Sequence, residues 1–155
     1  MVRRIRAGPA LADLGAEAVE IARSWLGTPY RHQASAKGAG ADCLGLIRGV
    51  WRGLYGAEPE VAPAYTPDWT EVSRDEKLWR AADRWLNPTD GAAPGDVLLF
   101  RMARTAPAKH LAIRSVMSPD RIIHAYSGRS VVESPLTGAW RRRIVAAFRF
   151  PEREV

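Results

Sequence analysis

Apolar and polar positions along this chain follow two different periods, and the change falls at Pro94-Gly95. Before it the spacing is helical. From about Ala10 to Leu26, the residues Val19, Ala22, Trp25 and Leu26 recur at helical intervals, which predicts a helix with those side chains inward. Gly27 then stands as a C-terminal glycine, and Pro29 blocks continuation. A second set, Leu46, Ile47, Val50, Trp51 and Leu54, lines one face of a helix that closes near Tyr55-Gly56. The stretch between them, Tyr30 to Ala41, is rich in Gly and Ala and reads as a loop. A Pro-rich connection runs from Glu58 to Pro67. Ser73 with Glu76 three residues on forms a capping box for a third helix, which reaches about Leu86 and ends at Asn87-Pro88.

After Pro94-Gly95 the pattern is extended. Asp96 to Met102, His110 to Met117, Arg121 to Tyr126, Ser130 to Glu133 and Arg143 to Phe150 read as strands. Ser118-Pro119-Asp120 and Ser127-Gly128-Arg129 carry turn chemistry and predict hairpins. Helices first and an antiparallel sheet of about five strands afterwards predict an α+β fold. Neither half could bury its apolar face alone, so the 155 residues are expected to form one domain, 1–155.

The composition agrees: 46% of residues are hydrophobic and 26% charged, with no repeat or low-complexity segment. The basic Met1-Val2-Arg3-Arg4-Ile5-Arg6 start is followed by no long apolar run. Neither a signal peptide nor a membrane span is expected. The net charge is +6, and Lys37, Lys77 and Lys109 are the only lysines, so arginine carries nearly all of it. A basic surface suits an anionic partner. The arginines are scattered except at Arg141-Arg142-Arg143, and no nucleic-acid motif accompanies them.

Candidate chemistry centres on the single cysteine, which excludes an internal disulfide and any CxxC site. Asp42 sits where an N-cap belongs, so Cys43 is expected to open the second helix. The helix dipole and unpaired N–H groups favour thiolate there, which predicts a pKa below the free value. Such a thiol is a candidate nucleophile and needs a base and an orienter. In Lys109-His110-Leu111-Ala112-Ile113-Arg114, residues His110, Ala112 and Arg114 share one strand face. His124 lies on the next strand. A hairpin at Ser118-Pro119-Asp120 would bring both imidazoles close, one to accept the thiol proton and the other to hold its ring. His32 lies in a loop without periodic context and reads as an ordinary surface residue. A zinc site would need four ligands from scattered singletons, so neither metal nor cofactor is expected. The tryptophans fall mostly on apolar faces, while Trp69, in a loop, is placed to line a groove.

Together, Trp25-Leu26-Gly27-Thr28-Pro29-Tyr30, Asp42-Cys43-Leu44-Gly45-Leu46-Ile47, Pro94-Gly95-Asp96-Val97-Leu98-Leu99-Phe100, His110-Leu111-Ala112-Ile113 and Ile122-Ile123-His124-Ala125 resemble the NlpC/P60 cysteine peptidases. The resemblance covers about residues 16–150. It is strongest to the phage-type cell-wall peptidases encoded among tail genes, including those of gene transfer agents. It implies a papain-like α+β fold with the nucleophile helix packed on the sheet. It further implies cleavage of peptidoglycan stem peptides, typically at the amide between γ-D-glutamate and a diamino acid.

Carried over by position, Cys43 is the nucleophile, His110 the general base and His124 the orienting third residue. Tyr30 matches a tyrosine that helps bind substrate or the oxyanion. Asp42 matches the acidic residue before the nucleophile, a cap and potential substrate-amine contact. Leu44 departs from the Ser or Thr that many members carry, and Gly56–Gly95 is longer than in minimal members. The expected partners are peptidoglycan stem peptides and phage-like tail proteins, with no nucleic acid. The expected location is a virion or gene-transfer-agent tail, made in the bacterial cytoplasm and acting on the target cell wall in the periplasm. A structural tail-tip component that keeps a peptidase fold with little or no activity is the alternative.

Overall fold

The structure is a computed structural model that describes residues 7–59 and 76–153. Its elements in chain order are α1 (Ala7–Arg23), β1 (Ser35–Ala36), β2 (Gly40–Ala41), α2 (Cys43–Tyr55), α3 (Lys77–Trp85) and β3 (Asn87–Pro88). Then come β4 (Val97–Phe100), β5 (His110–Met117), β6 (Asp120–Ala125), β7 (Val131–Pro135), α4 (Gly138–Arg141) and β8 (Ile144–Arg149). The main sheet has the order β3-β8-β4-β5-β6-β7, and every neighbouring pair is antiparallel. This is the expected α+β architecture, with β3 as an added edge strand.

Strand β4 shows why the sheet is central. All four of its residues are buried, so apolar side chains leave it on both faces. Val97 and Leu99 join the core shared with Ala18, Val19, Ala22 and Trp25 from α1 and its end and Leu46, Ile47 and Val50 from α2. Leu98 and Phe100 join a second cluster with Ala112, Ile122, Leu136 and Trp140. The connection from β7 to β8 therefore roofs the face that the long helices leave open.

Helix α2 approaches its neighbours closely because it carries glycine where they touch it. A Cβ on Gly49 would lie 2.0 Å from the Trp25 ring, and one on Gly45 would lie 1.8 Å from the Ala34 carbonyl oxygen. Those contacts fix how deeply α2 seats on α1 and how the preceding loop folds over its first turn. Asp42 is extended, at φ −99° and ψ −174°, and its carboxylate accepts from the Gly45 N–H, so Cys43 is the first helical residue as expected.

Several expectations are corrected. Helix α1 ends at Arg23, because the Ser24 hydroxyl and the Trp25 and Leu26 N–H groups turn back on Ile21, Ala22 and Arg23 carbonyls. Leu26, expected inward, is 43% exposed. The 30–41 loop contains the small β1–β2 hairpin. Ser73 lies outside the described residues, as do most of the Pro-rich connection and Trp69. Glu76 precedes α3 without a side-chain capping bond; its carboxylate instead accepts from the Ala108 N–H at 2.9 Å and from Arg101 at 2.8 Å. That tertiary pairing outcompetes the local cap. Among the described residues, no helix is long and apolar enough to cross a membrane.

Candidate active site

The site forms where β5 begins. The pairing of β5 with β6 runs from Met117↔Asp120 to Ile113↔Ile123, and the tip of α2 lies against β5 beyond it. The Cys43 Sγ is 3.6 Å from the Lys109 carbonyl oxygen, to which its S–H donates. The Leu111 N–H points to the same sulfur, as do the N–H groups of Leu44 and Cys43 itself. The sulfur is thus held against the main chain on both sides of residue 110.

His110 and His124 meet. A bulge lies between Arg114 and Val116, and past it Ile113 pairs with Ile123. Continuing that register sets His124 across from Ala112, diagonal to His110 on the same sheet face. The two rings are 5.1 Å apart between centroids, and His110 Nε2 lies 2.8 Å from His124 Nδ1. His124 Nε2 continues to the Ser134 hydroxyl at 3.3 Å. A consistent set of tautomers follows: His110 Nε2–H donates to His124 Nδ1, and His124 Nε2–H donates to Ser134. His110 Nδ1 is left as the basic atom.

Burial decides the charge states. His124 is 2% exposed and His110 8%. Desolvation lowers the His110 pKa to about 3, with the His124 and Lys109 charges adding to the effect. Desolvation alone lowers His124 to about 4. It also pushes the Cys43 thiol up to about 12, assisted by the neighbouring Asp42 charge and opposed by the three N–H groups. The expectation of a depressed thiol pKa is therefore reversed. The helix end does favour the anion, but removing sulfur from water costs more. At rest the thiol and both imidazoles are neutral.

Tyr30 is half-buried beside the thiol, and its pKa is raised by burial and then by the charges of Asp42 and Cys43. Its main chain bridges to Ala41, the residue before Asp42. Asp42 is turned inward and 3% exposed. One oxygen accepts from the Gly45 N–H and the other from the Gln33 N–H, each at 2.7 Å. His32 Nδ1 stands 3.8 Å from the second oxygen. Asp42 is thus a doubly used cap, holding both the first turn of α2 and the loop before it.

Trp140, Tyr126 and Ser134 complete the surroundings, and the sequence pattern did not single them out. The Trp140 ring lies 5.3 Å from both imidazoles, edge-on to His124. Tyr126 stacks at 5.6 Å on His124. These apolar faces exclude water from the pair and account for its low proton affinity. Among the described residues, no three His, Cys, Asp or Glu side chains converge on a metal position.

Compared with known structures, the chain matches an NlpC/P60 family protein from Bacillus cereus ATCC 10987 with a TM-score of 0.64. The fold is the NlpC/P60 fold. That match has 21% identity and covers 88% of this chain and 40% of the other. A Staphylococcus aureus structure described as similar to an NLP/P60 family lipoprotein matches with a TM-score of 0.62 and 19% identity, over 91% of this chain and 42% of that one. In sequence, a gamma-DL-glutamyl hydrolase of Bacillus subtilis is 28% identical over 149 residues. The alignment takes in 96% of this chain and 32% of that protein, so the chain spans about a third of its relative. No family profile matches the chain.

Proposed function

We propose that this chain is an NlpC/P60-type cysteine peptidase that cleaves γ-D-glutamyl amides in peptidoglycan stem peptides. One observation carries the reading: a cysteine at a helix tip is held against the main chain flanking His110, whose far nitrogen is bonded to a second buried histidine. The similarity to a gamma-DL-glutamyl hydrolase supports the choice of amide.

The reaction follows from the resting charges. The thiol is neutral and its proton is directed to the Lys109 carbonyl, so attack requires that proton to pass to His110 Nδ1 as the C–S bond forms. The imidazolium that results keeps its Nε2–H bonded to His124 Nδ1. The tetrahedral oxyanion would find N–H donors at the first turn of α2, where the Asp42 cap takes only the Gly45 N–H. His110 then protonates the leaving amine, and water attacks the thioester with His110 as base.

Tail-borne delivery belongs to the same proposal and is supported by the likeness of Asp42–Trp51 to phage-type peptidases. A binding-only tail component is its rival. Mass spectrometry of defined muropeptides incubated with the protein tests the enzyme. Products cut after γ-D-glutamate, absent with Cys43→Ala and His110→Ala, are expected. Hydrolysis retained by Cys43→Ala would overturn it. Co-purification with tail proteins tests the setting separately.

A further inference from the structure

The Arg141-Arg142-Arg143 run has no part in the chemistry above. Arg141 turns away to Asp120. Its two successors line a surface cavity of about 410 Å³ together with Arg101, Arg104, Met102 and Ala139. Arg101 is neutralised by Glu76 at 2.8 Å. Arg104, Arg142 and Arg143 are exposed and have no acidic partner among the described residues. Arg143 spends one N–H on the Ala139 carbonyl at 3.1 Å, which orients it over the cavity rim. Three uncompensated guanidiniums around one concavity form a site for carboxylate or phosphate oxygens.

The location ties this cavity to the thiol site. Phe100 pairs with His110 on one side and with Ile144 on the other. Arg101 and Arg143, the next residues out, are hydrogen-bonded to each other through main chain. The cavity therefore opens at the same end of the sheet as His110, two strands over, or about 10 Å away. Trp140, whose ring lies on the histidines, falls in the same short helix as Ala139 of the cavity lining, with Arg142 just after it.

We infer that Arg104, Arg142 and Arg143 bind a free carboxylate of the substrate chain, about 10 Å from the reacting centre. The chemistry fits because each γ-linked glutamyl residue leaves its α-carboxylate unreacted. The inference rests on the γ-glutamyl reading, and its test does not depend on turnover. Short γ-linked oligoglutamate is titrated into the Cys43→Ala protein by calorimetry, alongside the Arg142→Gln/Arg143→Gln double variant in the same background. The parent is expected to bind with an affinity that falls with added salt, and the double variant to bind about fivefold or more weakly. Arg142→Lys/Arg143→Lys should restore most of the salt-dependent part, and an α-amidated oligomer should bind no better than the double variant does.

Equal binding by parent and double variant, or no binding by either, would overturn the site. Tighter binding of a short DNA duplex, lost in the same double variant, would overturn it in favour of a nucleic-acid surface. Loss of oligoglutamate binding in the double variant together with no muropeptide cleavage by the Cys43 protein would leave the carboxylate site standing and the hydrolase reading fallen.

Discussion

His110 Nε2 and His124 Nδ1 lie 2.8 Å apart, so one ring donates and the other accepts, and only one arrangement leaves a base aimed away from the pair. That arrangement makes His124 an acceptor. His124→Asn preserves an acceptor oxygen near the Nδ1 position, whereas His124→Ala removes it. With muropeptide substrate, His110→Ala is expected to lower kcat by about 100- to 10,000-fold. His124→Ala should lower it by about 10- to 100-fold, and His124→Asn by clearly less. Equal losses in the two His124 variants would show that packing, not hydrogen bonding, is its role.

The same pair sets a pH dependence of stability. Both folded-state pKa values, about 3 and about 4, lie below the ordinary value of 6.5. Between those limits the unfolded chain binds protons that the folded chain refuses. Their stabilising contribution is complete above pH 6.5 and is lost as pH falls toward 4 and then 3. Thermal melts of the parent should therefore drop more steeply from pH 6.5 to 4 than melts of a His110→Gln/His124→Gln variant. Parallel slopes would contradict the burial of these rings.

The thiol, pushed up to about 12, should alkylate slowly. Iodoacetamide modification at neutral pH is expected to be slower than for a free cysteine, and to climb as pH rises past 9. Rapid modification at pH 7 would mean that the helix end outweighs desolvation.

Gly49 presses on Trp25 so closely that an added methyl would lie 2.0 Å from the ring. Gly49→Ala is expected to cost about 1–3 kcal/mol of stability, measured by urea unfolding. Asp42→Ala removes the cap of α2 and should cost about 1–2 kcal/mol while loosening the nucleophile's own turn. An Asp42→Ala protein as stable as the parent would make the two 2.7 Å contacts irrelevant to folding.

What the sequence reveals is local chemistry. The Asp42 cap, the Cys43 start, the Gly56 stop at φ +94° and all of β5 are written in neighbouring residues, and the expected bounds hold. The histidine pair was foreseeable from one hairpin. Three things depend on distant partners and escape such a reading. Glu76 abandons its cap for Arg101 and Ala108, residues 25 and 32 positions away. Trp140 looks like core but packs on both imidazoles, because α4, between β7 and β8 in the chain, carries its ring back over residues of β5 and β6. The thiol's raised pKa comes first from burial and then from the Asp42 charge, and burial is what the helix-tip argument leaves out.

The sulfur's contact with Lys109 spans 66 positions of chain, and the imidazole relay adds 14 more before Ser134 extends it again. A ribosome must therefore deliver at least the first 110 of the 155 residues before the chain contains the imidazole proposed to take the thiol's proton. Under the proposed mechanism the site is assembled late in synthesis, and a chain stopped short of β5 would carry a sulfur with no base.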